Sequence, residues 1–177
     1  MSRFSPKSGL AIYTADGQSI GLEQEIAKGG EGSVWSIAGE PHVVATFYHQ
    51  GLEPGHARNL QAMCGLKSES LIRIAAWPVE LLTPAASGSP QGFLMRRING
   101  YEQAHLLYTP KSRRTHFPEA QLPSILHASS NIAHSFATVH DTGQVIGDVN
   151  HGNLLVSKDA TVALIDCDRF EITDGQN

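Results

Sequence analysis

The chain has 177 residues, 41% of them hydrophobic, a formal net charge of −4 and two cysteines. This is enough chain for one sizeable domain or two small lobes, and its acidic balance argues against a strongly electrostatic nucleic-acid binder. Cys64 and Cys167 form neither a CxxC zinc pattern nor a disulfide framework, no stretch nears the roughly 20 apolar residues of a membrane span, and no apolar run follows MSRFSPKSG to make a signal peptide.

In chain order, apolar runs at 10–14 and 20–26 read as strands joined by the turn Asp16-Gly17. Strands at 33–37 and 42–48 follow, connected by Ala38-Gly39-Glu40-Pro41. The segment 54–66 reads as a helix with Ala57, Leu60, Met63 and Cys64 on one face. Segments 72–77, 79–82 and 92–98 are strand-like, the last two separated by the polar turn 84–91. The polar, partly basic stretch 100–117 reads as a helix plus a loop. The clearest helix is Leu122–His140, where Leu122, Ile125, Leu126, Ile132, Ala133, Phe136 and Val139 recur at helical spacing and Asp141-Thr142-Gly143 ends the run. A hairpin of 154–156 and 162–165 and a last short strand at 170–172, before Asp174-Gly175, complete the chain. The pattern predicts an α+β protein of two lobes, 1–98 and 99–177, with the boundary near 97–100.

Three segments carry chemistry. Ala27-Lys28-Gly29-Gly30-Glu31-Gly32-Ser33-Val34 lies between two strands, whereas dinucleotide and Walker A loops open a helix. Such a hairpin can lay backbone N–H groups over phosphates because no side chain blocks approach; it is also an ordinary tight turn. Gly147-Asp148-Val149-Asn150-His151-Gly152-Asn153 pairs an acid with an amide five positions on, either as chemistry or as an Asx-rich turn. Leu164-Ile165-Asp166-Cys167-Asp168 brings an acid out of an apolar strand, which is costly unless that acid is paired or metal-bound.

Together these segments, in this order, resemble the protein kinase signature set, which needs a loop over phosphates, hard oxygen ligands for Mg²⁺ and a base near the attacking hydroxyl. The resemblance covers almost the whole chain. Its wording, including IAAWPVELL, GFLM and LIDCD, is most similar to a divergent bacterial Ser/Thr kinase family, some of whose members carry helix-hairpin-helix modules. It implies a protein-kinase-like fold: an antiparallel N-lobe sheet with one helix, then the first part of a helical C-lobe. ATP and Mg²⁺ are the implied cofactors. Asp148 matches the catalytic base, and Asn153 and Asp166 match the metal ligands. Ala27, Lys28, Gly29, Gly30, Gly32, Val34, Ala45, Thr46, Met95 and Arg96 match the nucleotide site, although Met95 reads equally as core.

The departures bear on activity. Ala27 stands at the first glycine position. The VAIK pattern is laid over Val44-Ala45-Thr46-Phe47 with Thr46 taken at the lysine position, and Glu53 and Glu69 flank the 54–66 helix instead of lying in it. In HRDxxxxN the histidine, the arginine and the following lysine position are occupied by Ile146, Gly147 and Asn150. Lys28 is the candidate substitute for the missing lysine, against its reading as a solvated surface residue. No APE-like segment follows 170–172, so the chain reads as truncated before the activation segment. The 122–139 helix face then calls for a protein partner or further chain to cover its apolar side. The functional expectation is phosphoryl transfer from ATP to a Ser/Thr hydroxyl in the complete protein. The alternative is a pseudokinase, a nucleotide-binding or scaffold module with little transfer. A cytoplasmic location fits the free thiols. His127, His134 and His140 show no tight metal-ligand spacing.

Overall fold

The structure is a computed structural model that describes residues 4–85 and 88–172. The turn 84–91 is therefore described only in part, and Asp174-Gly175 lies outside the described residues. The chain divides into two compact units. One comprises the residues before Ser68 together with Trp77–Arg97; the other comprises Ser68–Ala76 and the residues from Ile98 on.

The first unit is a closed antiparallel barrel of order β1-β2-β3-β4-β6-β5. Its strands are β1 (Ala11–Thr14), β2 (Ser19–Lys28), β3 (Gly32–Ile37), β4 (Glu40–Tyr48), β5 (Glu80–Thr83) and β6 (Gly92–Arg96). Pairing of Tyr13 with Thr83 and Thr14 with Leu82 closes it. The β1–β2 turn is set by Asp16, whose carboxylate accepts the Thr14 hydroxyl and the Gln18 N–H, and by Gly17 at φ +84°. The β3–β4 turn is only Ala38-Gly39, because Glu40 already pairs with Ile37 and Pro41 lies within the strand.

Alternation along β4 sorts its side chains. Val43, Ala45 and Phe47 pack with Ile12, Leu22, Trp35, Ile37 and Leu82 in the barrel core. Each fully buried Val, Leu or Phe contributes about 1.5–3 kcal/mol. The helix α1 (Pro54–Leu66) buries Leu60 and Met63, as its spacing predicted. The last-turn carbonyls of a helix lack internal partners; that of Met63 accepts the Trp77 indole N–H at 2.9 Å, and Trp77 is fully buried.

In the second unit, the segment expected as a strand at 72–77 is instead the helix α2 (Glu69–Ile74) followed by extended residues. Ser68 caps the helix, its hydroxyl accepting the Leu71 N–H at 3.3 Å, and Glu69 and Arg73 complement the helix ends. Local capping outweighed the β-branched residues that suggested a strand. The stretch 100–117 also holds a short strand, β7 (Tyr101–Gln103), before α3 (His105–Tyr108) and α4 (Pro110–His116). β7 pairs with β8 (Leu154–Ser157), which pairs with β9 (Val162–Leu164), all antiparallel. Beside β7 and β8, Ala104, Leu107, Phe117, Val156, Ala160 and Val162 form a core with Ala128.

α5 spans Leu122–His140, as the periodicity predicted. Ala128 and Val139 are buried, and Ile125 and Ile132 pack on the core beside β7 and β8, while Leu122 and Leu126 remain exposed. Asn131 of α5 donates to the carbonyl of Ala160, which sits at φ +60° in the β8–β9 turn. The expected strand at 170–172 is not formed. Cys167–Arg169 is a 3-10 turn, and only Glu171 bridges, to Val145.

Candidate active site

The end of α5 leads into the motif loop of the second unit. Gly143, at φ +77°, reverses the chain, and buried Gln144 donates to the Thr142 carbonyl at 2.7 Å. The chain then runs extended to Gly147. A Cβ on Gly147 would fall 2.3 Å from the Arg169 carbonyl oxygen. The backbone after the 3-10 turn thus occupies the space that any side chain at position 147 would need. This gives a physical reason for glycine where the kinase pattern has arginine.

The loop that follows is held by its own amides. The Asn150 side-chain oxygen accepts the N–H groups of Gly152 at 2.7 Å and Asn153 at 3.1 Å. Its amide nitrogen donates to Oδ2 of Asp148 at 3.0 Å. The Asn153 amide donates to the same Oδ2 at 3.1 Å. Oδ1 of Asp148 makes no hydrogen bond among the described residues, and neither does Oδ1 of Asn153. Donation by the Asn153 nitrogen fixes its amide orientation, so a hard carbonyl oxygen is left open. Phe136, Ile146, Leu154, Leu164 and Phe170 line a small apolar pocket beside Asp148 and Asn153.

β8 and β9 bring the third residue near. Leu154 pairs with Leu164, and the Ile165 N–H donates to the Asn153 carbonyl at 3.0 Å. Asp166, next along, is exposed and left-handed, at φ 55° and ψ 39°. Aspartate tolerates this region better than most residues, yet such conformations cost about 1–3 kcal/mol and cluster at functional sites. Cys167 is buried and donates its thiol to the Leu164 carbonyl. Burial, and then the carboxylates of Asp168 and Asp166, push its pKa well above the usual thiol range. It is a packing residue and not a nucleophile. Asp148, Asn153 and Asp166 therefore lie on one loop and its adjoining strand end. Among the described residues no three His, Cys, Asp or Glu side chains cluster as a cation cage. Mg²⁺ needs no such cage, since one or two protein oxygens plus substrate phosphates suffice, and the donor types here fit it.

The first unit holds the remaining residues. Gly29 N–H donates to the Gly32 carbonyl at 2.8 Å across the hairpin tip. A Cβ on Gly32 would lie 2.5 Å from the Phe47 carbonyl, so packing demands glycine there. A Cβ on Gly29 would make only an ordinary contact, 3.8 Å from the Gly32 carbonyl oxygen, Gly30 has open space around it, and neither has a positive φ. Nothing in the chain's own packing requires them to be glycine. Lys28 and Ala27 are exposed on β2, paired with Ser33 and Val34.

Register sorts the rest. Val34 pairs with Thr46 and Val44 with Met95, so Val34, Val44, Thr46 and Met95 share one face. The Thr46 hydroxyl donates to the Met95 sulfur at 3.8 Å. Ala45, expected at the nucleotide site, is instead fully buried in the barrel core with Phe47 and Trp35. With Thr46 fourth in the VAIK pattern, the frame begins at Val43. Val44 then takes the alanine slot, on the same face as Thr46 because the strand period is two. Arg96 pairs with Val43, on the opposite face from Met95. The residue sequence reading missed is Asn150. From sequence it stands out only as the residue at the lysine position of the kinase pattern, and an Asx residue two positions after an acid is the available signal.

No protein-family model matches the chain. It is 36% identical over 166 residues to "Protein kinase YegI" of Escherichia coli strain K12, covering 94% of this chain and 26% of that protein. It is 37% identical over 161 residues to the protein of the same name from Escherichia coli O157:H7, covering 91% and 25%. The chain thus spans about a quarter of the length of the curated relatives it matches. Among solved structures it is similar to the ROP18 kinase domain in complex with AMP-PNP and sucrose, with a TM-score of 0.64 and 13% identity over 95% of this chain and 57% of that one. The fold is α+β and protein-kinase-like.

Proposed function

This chain belongs to a protein-kinase-like bacterial family, and we propose that it is the Mg·ATP-binding part of an enzyme that transfers phosphate to Ser/Thr hydroxyls. The arrangement of Asp148 and Asn153 carries the reading: the amide nitrogen is spent on Asp148, leaving its oxygen open, and the Asn153 carbonyl accepts the N–H of Ile165, the residue before Asp166. Asn153 Oδ1 and the Asp166 carboxylate would hold Mg²⁺, which supplies charge neutralisation at the phosphates. Asp148 Oδ1 accepts the hydroxyl proton or orients that hydroxyl. Gly29 and Gly30 let backbone N–H groups approach the phosphates, the role consistent with glycines that packing does not require. Ala27, Lys28, Gly32, Val34, Val44, Thr46, Met95 and Arg96 complete the nucleotide-side set. The ROP18 kinase domain, which is similar in fold, was solved with AMP-PNP. Partners are the nucleotide and a protein or further chain segment on the exposed Leu122 and Leu126. No helix among the described residues is long and apolar enough to cross a membrane, and a cytoplasmic setting suits the unpaired thiols.

Calorimetric titration with Mg·ATP tests the reading. Binding that is lost in Asp166→Ala is expected; absent binding by the unaltered chain refutes it. One observation favours the second reading, a pseudokinase. At the lysine position stands Thr46, whose hydroxyl is turned to Met95. Turnover of [γ-³²P]ATP by the unaltered chain, abolished by Asp148→Ala, excludes that alternative.

A further inference from the structure

We infer that Asn150 is a positioning residue for phosphoryl transfer, taking over by hydrogen bonding a position that the kinase pattern fills with a cation. The inference rests on the function proposed above. Every strong acceptor site and one donor of this side chain are committed within the loop. Its oxygen takes two backbone N–H groups, of Gly152 at 2.7 Å and Asn153 at 3.1 Å, and its nitrogen takes Asp148 Oδ2 at 3.0 Å. The side chain is exposed, so burial alone does not hold the arrangement.

Two consequences follow. First, Oδ2 of Asp148 is saturated by two amide donors, from Asn150 and Asn153, which directs the other oxygen outward as the proton acceptor. Second, a side chain engaged in this way cannot also reach a phosphate. The loop then delivers geometry but no positive charge, and neutralisation of the transferred phosphoryl group falls to groups outside the loop, metal included. Asn150 also sets Asn153, because the bond to the Asn153 N–H closes the turn from which the metal-facing oxygen projects. One side chain thus aligns both the base and the proposed metal ligand, without touching substrate.

Asn150→Ala and Asn150→Asp, made in the full-length protein, separate this role from general support of the loop. Aspartate keeps both acceptor bonds to Gly152 and Asn153, loses the donor to Asp148 and sets a second carboxylate against it. Transfer from [γ-³²P]ATP to histone, Mg·ATP affinity by calorimetry and melting temperature are the readouts. Misplacing a catalytic group by about 1 Å costs up to roughly 100-fold in rate. Both variants are therefore expected to lose about 30- to 100-fold in kcat, with Mg·ATP affinity within about threefold. Asn150→Asp, which keeps the acceptor bonds of the turn, is expected to melt closer to the unaltered protein than Asn150→Ala does. An Asn150→Asp variant with unaltered kcat would show that only the turn matters and would overturn the inference while leaving the proposed function standing. A loss confined to Mg·ATP affinity, with kcat intact, would do the same. Absent Mg·ATP binding by the unaltered protein would remove both.

Discussion

Gly147→Ala tests the packing behind the catalytic loop. The added Cβ would sit 2.3 Å from the Arg169 carbonyl oxygen and 3.4 Å from its carbon. Ordinary contact needs over 3 Å, so the two backbone segments must part by about 1 Å, an overpacking cost of about 1–3 kcal/mol. Those segments are joined by the Val145–Glu171 bridge, with hydrogen bonds of 3.0 and 2.9 Å. Stretching both forfeits about 0.5–1.5 kcal/mol each. Because relaxation shares these terms, we expect a net loss near 2 kcal/mol, or about 4–8 °C in Tm for a chain of this size. Asp148 is the next residue, so its displacement should lower transfer by about tenfold or more, beyond the effect on stability. Thermal melts and denaturant titration read the first effect, and [γ-³²P]ATP transfer at a temperature where the variant is folded reads the second. A variant as stable as the unaltered protein would refute the argument that glycine at 147 is imposed by the backbone of 169–170.

Thr46→Lys should tighten Mg·ATP by about 10- to 100-fold, since a charge-assisted bond is worth about 1.5–3 kcal/mol; unchanged affinity in calorimetry would remove position 46 from the phosphate site. Trp77→Phe should destabilise the chain by about 1–3 kcal/mol, because it strips the indole donor from the Met63 carbonyl in a buried setting, and a denaturant midpoint within error would contradict this. Burial pushes the Cys64 pKa up from 9.0 to about 11, with the Glu80 carboxylate adding to the rise and Lys67 opposing it. The raised folded value means the native state keeps its proton while the unfolded thiol ionises, so this contribution is full below 9.0 and fades as pH rises toward about 11. Stability by denaturant should therefore fall across that window, Cys64→Ala should flatten the fall, and an equal fall in that variant would count against it.

The pairing of Asp148 with Asn153 was legible because its signal is local. Asp148 and Asn153 are five positions apart in one loop, and their hydrogen bond is a matter of a single turn. The Leu122–His140 helix announced itself by period alone, and its observed bounds agree. α2 was misread because its six residues hold apolar and β-branched side chains at a spacing that fits a strand, while the deciding cap is a single serine. β7 could not be read at all, because its pairing with β8 lies some fifty residues away along the chain.

The sequence by itself determined which residue types stand at the motif positions, and so the protein-kinase-like reading and the proposal that Thr46 stands where that pattern has lysine. Tertiary structure alone decided which face of that strand turns into the barrel. The strand period of two puts Val44, not Ala45, on the face of Thr46, and packing decides which face enters the barrel core: here Ala45 and Phe47 are the ones packed with Trp35. It also decided why position 147 is glycine and which groups Asn150 bonds. Those answers depend on where the backbone of Arg169 passes and on which amide hydrogen meets Asp148. Side-chain identity fixes what a group can donate or accept; only the folded chain fixes which partner is within 3 Å.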